Sequence, residues 1–406
     1  MLPCLVFEDE HLLVVNKPPG LNTHSPSPYA GEGIYDWLRH REPRWSSLAI
    51  VHRLDKQTSG LLVFSKTPLA NRSLTQQFTN RAIGKEYVFL TDRPIPEKEV
   101  LAKSLLVRAG EKYVSRPAAK RGEGEAITRF SPRPHHALSR PGIQWLSAEP
   151  LTGKTHQIRV HAADHGFPIF GDVLYGGTAA SRVFLHSARL KIRHPDSNKV
   201  MTFEAPPDFD LNPGIALRTA LIDPSGTTVW RVCHGASDGW RGWYLDRVGD
   251  FLLSQSDHVP STSEMDSLAH WQKLSGTGGV SHKIWSRKAQ RKSADENSPK
   301  QILGQPMPGQ IIIRENGVRF ELSFSEGYSI GLFFDQRDNR RRILNNHIAA
   351  IHMHGGATKR PSERDLRAIV HFNRRTVFQS DDRTRILRRV GARVLVHEPC
   401  QQILVE

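Results

Sequence analysis

The stretch Val51-His52-Arg53-Leu54-Asp55-Lys56-Gln57-Thr58-Ser59-Gly60-Leu61 connects two short apolar runs and decides how the first half of the chain folds. The runs, residues 48–51 and 61–64, have the length and composition of buried strands. Asp55 is therefore predicted on the connection between them, where two core strands would hold its carboxylate in place. Because aspartate is also a common turn residue, the stretch alone leaves a structural and a catalytic role open.

The composition indicates a basic protein of two or three domains. The chain has 406 residues and a formal net charge of +15 at pH 7, which favours a polyanionic partner such as nucleic acid. The charge is uneven, because residues 340–406 contain fourteen Lys or Arg and six Asp or Glu. The excess therefore describes the C-terminal tail more than a folded surface.

The cysteines and the apolar runs favour a cytoplasmic setting. Cys4, Cys233 and Cys400 are far apart in sequence and form no C-x-x-C pair, so reduced thiols are expected. No apolar run approaches the ~20 residues that span a bilayer, so no membrane association is predicted. The N-terminus lacks a basic segment followed by a long apolar one, so no signal peptide is predicted either.

Residues 5–20 predict a hairpin that ends in the loop Lys17-Pro18-Pro19-Gly20. The two prolines restrict the backbone and Gly20 permits a bend, so Lys17 is presented on a stiff loop. Taken by itself, the pattern is equally typical of a hairpin that ends in an ordinary solvated lysine.

A helix and a strand are predicted after the Asp55 segment. The helix covers residues 67–78, with Leu69, Leu74 and Phe78 expected on one buried face. The strand that follows contains Tyr87, which by itself would be a packing residue, because buried strands favour aromatic side chains.

Residues 149–161 form the second informative block. Gly153 permits a tight turn, and His156, Arg159 and His161 follow at the start of a predicted helix. Cationic side chains and helix N-terminal N–H groups suit a phosphate or a catalytic carboxylate. A solvated basic helix face would have the same pattern.

No metal or cofactor site is predicted. His161 with His165, which have H-x-x-x-H spacing, or His52 with His156 would be candidate zinc ligands, but no His-Glu-x-x-His motif and no cysteine partner accompanies them. No Gly-rich phosphate-binding loop accompanies these segments.

Four ordered motifs resemble the RluA-like pseudouridine synthases. They are N-K-P-x-G at residues 16–20, H-R-L-D-x-x-T-S-G at residues 52–60, K-x-Y at residues 85–87 and G-K-x-H-Q-I-R-x-H at residues 153–161. The similarity continues through residues 167–190 and ends near residue 207.

The resemblance implies an α+β pseudouridine synthase fold with a mixed, largely antiparallel central sheet over residues 1–207. It implies Asp55 as the catalytic residue, Arg159 as its ion-pair partner and Tyr87 as the aromatic side chain beside the target base. An arginine beside Asp55 would favour the anionic carboxylate. The residues expected to bind substrate are His52, Arg53, Thr58, Lys17, His156 and Gln157.

The implied reaction breaks the C–N glycosidic bond of a uridine and rejoins the base to the ribose through C5. The sequence leaves open whether Asp55 attacks the nucleotide or abstracts a ribose proton. Removing the uridine from its stack costs a few kcal/mol, of which stacking on Tyr87 would recover part. The reaction needs neither cofactor nor metal, and the expected partner of this monomeric protein is ribosomal or transfer RNA.

The second half resembles a different family. Residues 208–230 are predicted as a linker, residues 246–250 as a turn between strands, and Asn316-Gly317 as a type I′ hairpin turn. Residues 326–341 resemble the entry segment of RlmI-like class I methyltransferases, within a resemblance that spans residues 225–342.

The cofactor-binding strand and Gly-rich loop of those methyltransferases do not follow. The prediction is therefore a small, truncated methyltransferase-like α/β region over residues 231–344. Residues 345–406 are predicted as a poorly ordered basic tail, either a frameshifted remnant, an RNA-binding arm or a small unrecognised fold.

The predicted function is that of an RNA pseudouridine synthase, an isomerase. Two alternatives stay open at this point. One is a bifunctional pseudouridine synthase and methyltransferase, and the other is an RNA-binding protein without catalysis.

Overall fold

The computed structural model describes residues 2–26, 33–41, 43–117, 124–133, 142–284, 298–324, 332–344, 377–381, 384–389 and 392–395. The chain divides into two compact units, Pro3–Leu221 and Ile222–Glu406, the second of which includes the first two residues. A helix, Pro213–Ala220, lies within the segment predicted as a linker. The domain boundaries at residues 207, 230 and 344 stay predictions.

The first unit is built on one eleven-stranded sheet with four helices among its described residues. The strands are β1 Leu5–Glu8, β2 Leu12–Lys17, β3 Ala49–Ile50, β4 Ser59–Ser65, β5 Gly84–Thr91, β6 Val100–Ala109, β7 Lys112–Arg116, β8 Ala126–Pro132, β9 Gln144–Pro150, β10 Leu185–Arg193 and β11 Val200–Glu204. The helices are α1 Ile34–Arg41, α2 Pro68–Thr79, α3 Gln157–Asp164 and α4 Pro213–Ala220, with short 3₁₀ turns at Pro43–Trp45 and Val173–Tyr175.

The strand order is β1-β2-β4-β10-β5-β9-β8-β6-β7, with β3 paired to β4 and β11 paired to β10. The β4–β10 pair is parallel, and the other described pairs of this sheet are antiparallel. The predicted mixed, largely antiparallel α+β fold is therefore confirmed.

Helix α2 packs against the sheet, but its buried face contains Ala70 instead of the predicted Leu69. Its N-cap is Thr67, whose Oγ1 accepts a hydrogen bond from the N–H of Ala70. Ala70 and Leu74, four residues apart on one stripe, are fully buried, whereas Leu69 is 41% exposed. The expectation that Leu69 faces the core was wrong, because the small Ala70 side chain occupies the position where the helix meets the sheet.

The parallel pairing of β4 and β10 requires a glycine beside the Asp55 segment. Gly60 has φ +112°, and a Cβ atom there would lie 2.3 Å from the carbonyl oxygen of Ser187. Ser187 also pairs with Tyr87 of β5. The close approach at Gly60 therefore fixes the relative positions of the Asp55 connection and the strand that carries Tyr87.

Among its described residues, the second unit contains two five-stranded sheets. The first has the order β12 Val229–His234, β13 Tyr244–Val248, β14 Phe251–Ser256, β15 Gly279–Ile284 and β16 Lys300–Gly304, and α5 Thr262–Ser275 connects the parallel strands β14 and β15. The second has the order β17 Gln310–Glu315, β18 Val318–Ser323, β21 Ala392–Leu395, β20 Thr384–Arg389 and β19 Val377–Asp381. Helix α6 spans Arg337–Leu344, and 3₁₀ turns occupy Gly235–Asp238 and Phe334–Gln336.

Two turn predictions in this unit have different outcomes. Asn316 and Gly317 both have positive φ, 51° and 84°, as a type I′ turn requires. The turn predicted over residues 246–250 is shorter, because Asp246 lies within β13, where Arg231 of the paired strand binds its carboxylate at 2.5 Å.

Much of the predicted tail and part of the methyltransferase-like segment, residues 325–331 and 345–376, lie outside the described residues. Strands β19, β20 and β21 fall within the predicted tail, and β21 pairs with β18. Among the helices that the structure describes, none combines the length and apolar character needed to cross a membrane.

Replacing Gly60 with alanine is expected to destabilise the first unit by roughly 2–4 kcal/mol, since both the backbone conformation and the contact with Ser187 are unfavourable. Gly110 is a matched control, because it also has positive φ (+65°) but a Cβ there would meet no atom within 4 Å. Urea unfolding of both variants measures the difference, and equal destabilisation would show that the close approach to Ser187 is unimportant.

Candidate active site

A cleft of about 1260 Å³ lies in the first unit along the connection between β3 and β4. Its charged lining is predominantly basic, with eight Lys or Arg and three Asp or Glu side chains: Arg53, Lys56, Arg81, Lys85, Lys154, Arg159, Arg189, Lys191, Asp55, Glu86 and Glu149. The last two carboxylates have other arginine partners, Arg189 for Glu86 at 2.8 Å and Arg129 for Glu149 at 3.2 Å. The excess of positive charge suits a polyanionic substrate.

Asp55 presents its carboxylate to this cleft from a well-anchored turn. The side chain is 29% exposed. The N–H of Thr58 donates to the backbone oxygen of Asp55 at 3.1 Å, and Thr58 itself is buried. The neighbouring Leu54 is bound through its N–H and its carbonyl oxygen to Thr23 Oγ1, at 3.1 and 3.0 Å. The connection is therefore rigid although it carries an accessible acid.

Lys17 fixes the backbone on the other side of Asp55. Its side chain is fully buried, and Nζ donates to the carbonyl oxygens of Leu21 at 2.8 Å, Pro18 at 3.0 Å and Lys56 at 3.3 Å. Burial, reinforced by a nearby arginine and opposed by Asp55, lowers the pKa of Lys17 to about 7. Lys17 thus lies behind the cleft surface and connects its own loop to the residue after Asp55.

Arg159 is the ion-pair partner of Asp55. Its Nη1 lies 3.5 Å from Asp55 Oδ2, while Nε and Nη2 donate to the two carboxylate oxygens of Asp172 at 2.6 and 2.8 Å. Arg159 and Asp172 are both buried, and the guanidinium lies 4.9 Å from the centre of the Tyr175 ring. Burial alone would lower the pKa of Arg159, but the bonds to Asp172 outweigh it and raise the pKa above its usual value. The guanidinium is therefore charged and held in one orientation.

His156 approaches the same carboxylate as a neutral imidazole. Its Nε2 lies 3.8 Å from Asp55 Oδ2, and burial lowers its pKa although Asp55 opposes the shift. The Tyr175 hydroxyl accepts a hydrogen bond from the N–H of Tyr113 at 2.9 Å, so its own hydrogen is available for His156 Nδ1 at 2.7 Å. This network assigns the imidazole proton to Nε2, which faces Asp55.

Tyr87 lines the cleft from β5. Burial raises the pKa of Tyr87 to about 12, partly offset by a hydrogen bond to Ser187, so the phenol stays neutral. The adjacent Lys85 also lines the cleft, and its Nζ donates to the carbonyl oxygen of Thr152 at 3.3 Å. The K-x-Y strand therefore contributes a neutral aromatic ring and a cation already bound to the opposite loop.

The remaining predicted residues of the first motif differ in accessibility. Arg53 is exposed at the cleft. His52 also lines the cleft, but its ring stacks on Phe78 at 4.6 Å between centroids, and its Nε2 accepts a hydrogen bond from the N–H of Val63 at 3.1 Å. Burial lowers the pKa of His52 to about 3, so this imidazole is neutral.

Both the oxygen and the nitrogen of the Gln157 side-chain amide form hydrogen bonds within the protein. Its Oε1 accepts from Thr152 Oγ1 at 2.6 Å and from the N–H of Lys154 at 3.0 Å. Its Nε2 donates to the carbonyl oxygen of Ile127 and to Thr128 Oγ1, both at 2.9 Å. Gln157 thereby ties the loop before α3 to strand β8.

Unlike His156 and Arg159 of the same motif, His161 does not line the cleft. It is buried, with Nδ1 2.8 Å from Thr128 Oγ1 and Nε2 3.0 Å from Ser104 Oγ, and burial lowers its pKa to about 4. The expected cluster of three cationic or imidazole groups is therefore reduced to His156 and Arg159 at Asp55. Among the residues that the structure describes, no group of three or more His, Cys, Asp or Glu has metal-binding geometry.

A buried polar network supports the end of the Asp55 connection. Arg182 Nη2 donates to Ser59 Oγ at 2.5 Å, Ser59 Oγ lies 2.8 Å from His186 Nδ1, and His186 Nε2 lies 2.9 Å from the carbonyl oxygen of Ala205. Burial lowers the pKa of His186 to about 4 and that of Arg182 to about 10. The network anchors the first residue of β4, four residues after Asp55.

Sequence reasoning missed the roles of Asp172 and Tyr175. Both lie in the segment 167–177 that extends the family resemblance, but their function depends on contact with Arg159 and His156 across the fold. A carboxylate partner could have been expected if Arg159 was buried, because a buried arginine requires one. The sequence gives no means of choosing Asp172 among the other acids.

A basic cleft that presents an accessible carboxylate beside an immobilised arginine is the site of an enzyme acting on a polyanionic substrate. The family model described as RNA pseudouridylate synthase matches residues 11–164. A ribosomal large subunit pseudouridine synthase C from Yersinia pestis is 36% identical over 221 residues, which are 51% of this chain and 67% of that protein. The chain belongs to the RNA pseudouridylate synthase family, and its activity is the isomerisation of uridine to pseudouridine in RNA.

Solved structures match more weakly. Human RNA pseudouridylate synthase domain containing 1 is 25% identical, with a TM-score of 0.42 and coverage of 53% of this chain and 86% of that one. A putative S-adenosylmethionine-dependent methyltransferase from Streptococcus mutans is 26% identical, with a TM-score of 0.25 and coverage of 30% of each chain. The family assignment rests on the sequence matches, and methyltransferase character of residues 225–342 stays a prediction.

Replacing Asp172 with asparagine is expected to destabilise the first unit by about 3–5 kcal/mol, because the charge of the buried Arg159 loses its partner. The matched control is Glu204→Gln, which removes the partner of Arg189 from an exposed ion pair of 2.8 Å and should cost about 1 kcal/mol or less. Urea unfolding compares the two. Similar small losses would contradict the view that Asp172 holds Arg159.

The lowered pKa of Lys17 predicts a particular pH dependence of stability. From about pH 7 to about pH 10 the unfolded chain keeps a proton on Lys17 that the folded chain releases, so this group makes the free energy of unfolding rise with pH. Below about pH 7 both states are protonated and the burial penalty is complete. Urea unfolding at several pH values should show this rise in the wild type relative to Lys17→Met, and parallel curves would contradict the assignment.

Proposed function

We propose that Asp55 is the catalytic carboxylate of this pseudouridine synthase. The observation that carries the proposal is the position of Asp55, which is accessible from the cleft and lies 3.5 Å from the guanidinium of Arg159. A carboxylate that acts as a nucleophile or as a base must be ionised and within reach of substrate. The fixed positive charge of Arg159 favours the ionised form.

Arg159 and His156 then have separate tasks. Arg159 donates to Asp172 from Nε and Nη2, and its Nη1 is the group that compensates the charge of Asp55 throughout the reaction. His156 directs an N–H at the same carboxylate from 3.8 Å, close enough to form a hydrogen bond after a small shift. We propose that His156 orients Asp55 toward the flipped uridine rather than accepting a proton, because its Nδ1 already accepts the hydrogen of the Tyr175 hydroxyl and its Nε2 carries the proton that faces Asp55.

Tyr87 is proposed as the aromatic neighbour of the target base. Its ring lies in the cleft wall, and its phenol is neutral and bound to Ser187, so the ring is held in a defined orientation. A rigid ring loses little entropy when a base stacks on it, and such stacking is worth roughly 1–3 kcal/mol. This is comparable with the cost of removing the uridine from its helix.

The other residues of the motifs are proposed either to contact the RNA or to position the active-site segments. Arg53 is exposed beside Asp55 and is proposed to bind the RNA backbone. Lys17, Gln157 and Thr58 are proposed as positioning residues, since the contacts described above use them within the protein. His52 is proposed to act through its ring surface, because its Nε2 is already bonded to the backbone.

We propose ribosomal RNA of the large subunit as the target. The support is the Yersinia pestis relative, which is named for that substrate, and the family model, whose match over residues 11–164 includes both active-site motifs. We further propose a monomer that acts in the cytoplasm. The buried Cys4, a free thiol, is consistent with a reducing environment.

The central test is pseudouridine formation by the wild type and Asp55→Asn on unmodified ribosomal and transfer RNA. The wild type should modify large-subunit ribosomal RNA, and Asp55→Asn should be slower by about 10³-fold or more, because the reacting carboxylate is lost while the shape is kept. Asp196→Asn, an exposed residue outside the cleft, controls for the change itself. Activity of Asp55→Asn would refute the role of Asp55, and activity confined to transfer RNA would refute the target.

A further inference from the structure

The C-terminus of α2 ends in an unusual residue at the edge of the cleft. The N–H of Arg81 donates to the carbonyl oxygen of Phe78 at 3.2 Å, and the N–H of Ala82 donates to that of Gln77 at 2.9 Å. This pair of bonds is a Schellman motif, in which the residue after the C-cap adopts a left-handed conformation. That residue here is Arg81, with φ +57°.

Helix α3 provides an internal comparison. It ends in the same two bonds, from Gly166 to Ala163 and from Phe167 to Ala162, both at 3.0 Å. Its left-handed residue is Gly166, with φ +82°. Glycine is the usual choice because a Cβ atom makes this conformation unfavourable. Arginine is thus disfavoured by the backbone at Arg81, so a role of its side chain is needed to account for it.

The Arg81 side chain is available for such a role. Arg81 and Lys191 are both exposed and both line the cleft that contains Asp55. Among the residues that the structure describes, neither side chain has a hydrogen-bond or ion-pair partner. By contrast, Arg189 is bound to Glu86 and Glu204, each at 2.8 Å. Arg81 and Lys191 are therefore positively charged side chains that are available to a ligand in this part of the cleft.

The backbone beneath these cations brings them to one surface. Lys191 of β10 pairs with Gly84 of β5, three residues after Arg81, and a Cβ atom at Gly84 would lie 3.1 Å from that of Lys191. The stacked rings of Phe78 and His52 line the same cleft. Two open cations beside an aromatic pair are the features with which proteins bind a single nucleic-acid strand.

We propose that Arg81 and Lys191 form a phosphate subsite for the RNA strand that flanks the target uridine. The inference rests on the proposed function, because it takes the uridine at Asp55 as the reference point. The subsite binds substrate and takes no part in bond making. It extends recognition beyond the flipped base to the backbone of a neighbouring nucleotide.

The Arg81→Gly variant distinguishes an effect on RNA binding from an effect on folding stability. Glycine relieves the left-handed strain, so this variant should melt at a higher temperature than the wild type. It should nevertheless raise KM for ribosomal RNA roughly three- to tenfold, with kcat within about twofold, and make the slope of log Kd against log salt less steep by about 1. Arg81→Lys keeps the charge and should retain most of the affinity. Lys191→Ala should reproduce the rise in KM and the change in salt slope.

Arg72→Ala is the matched control, since Arg72 is exposed on the same helix but does not line the cleft. Its KM, kcat and salt slope should equal those of the wild type. The inference is overturned if Arg81→Gly binds RNA like the wild type, or if it is less stable than the wild type. Should the wild type make no pseudouridine, the proposed function fails, while the RNA affinities and salt slopes still decide the subsite.

Discussion

The buried ion pair of Arg159 and Asp172 is the interaction on which the site depends. An arginine residue that is only 7% exposed would be very unfavourable without a carboxylate partner, and two parallel hydrogen bonds run from Nε and Nη2 to Asp172. The same bonds fix the plane of the guanidinium, so Nη1 points toward Asp55. Asp172 thus keeps Arg159 charged and fixes its direction, and the Asp55 carboxylate itself need not be buried.

The Asp55 connection is held from three sides, and each anchor contacts its backbone rather than its carboxylate. Lys17 binds the carbonyl of the following residue, Thr23 binds Leu54, and the close approach of Gly60 to β10 fixes the start of β4. This arrangement fixes the backbone around Asp55 without using its carboxylate. The carboxylate stays accessible to a nucleotide, while the chain around it has no freedom to withdraw.

Local signals in the sequence were sufficient for the strands that flank Asp55, for helix α2 and for individual turns, because apolar periodicity and turn chemistry act over a few neighbouring residues. The type I′ turn at Asn316 is of this kind. The mixed sheet was predicted from the family resemblance. What failed depends on tertiary contacts. Leu69 is more apolar than Ala70, yet the close packing of α2 on the sheet selects the smaller residue. The roles of Asp172 and Lys17 arise from contacts across the fold that leave no pattern in the sequence.

Backbone strain in the described chain marks the same cleft. The non-glycine residues with positive φ are Arg81, His156, Asn198 and Asn316. Asn198 lies in the β10–β11 connection and Asn316 in a hairpin turn, and asparagine tolerates this conformation. Histidine is also enriched in this conformation, whereas Arg81 has no such local reason, and both residues line the cleft. The backbone at Arg81 favours glycine, so the side chain retained there is best explained by what it presents to RNA, an open cation in the cleft that also contains Asp55.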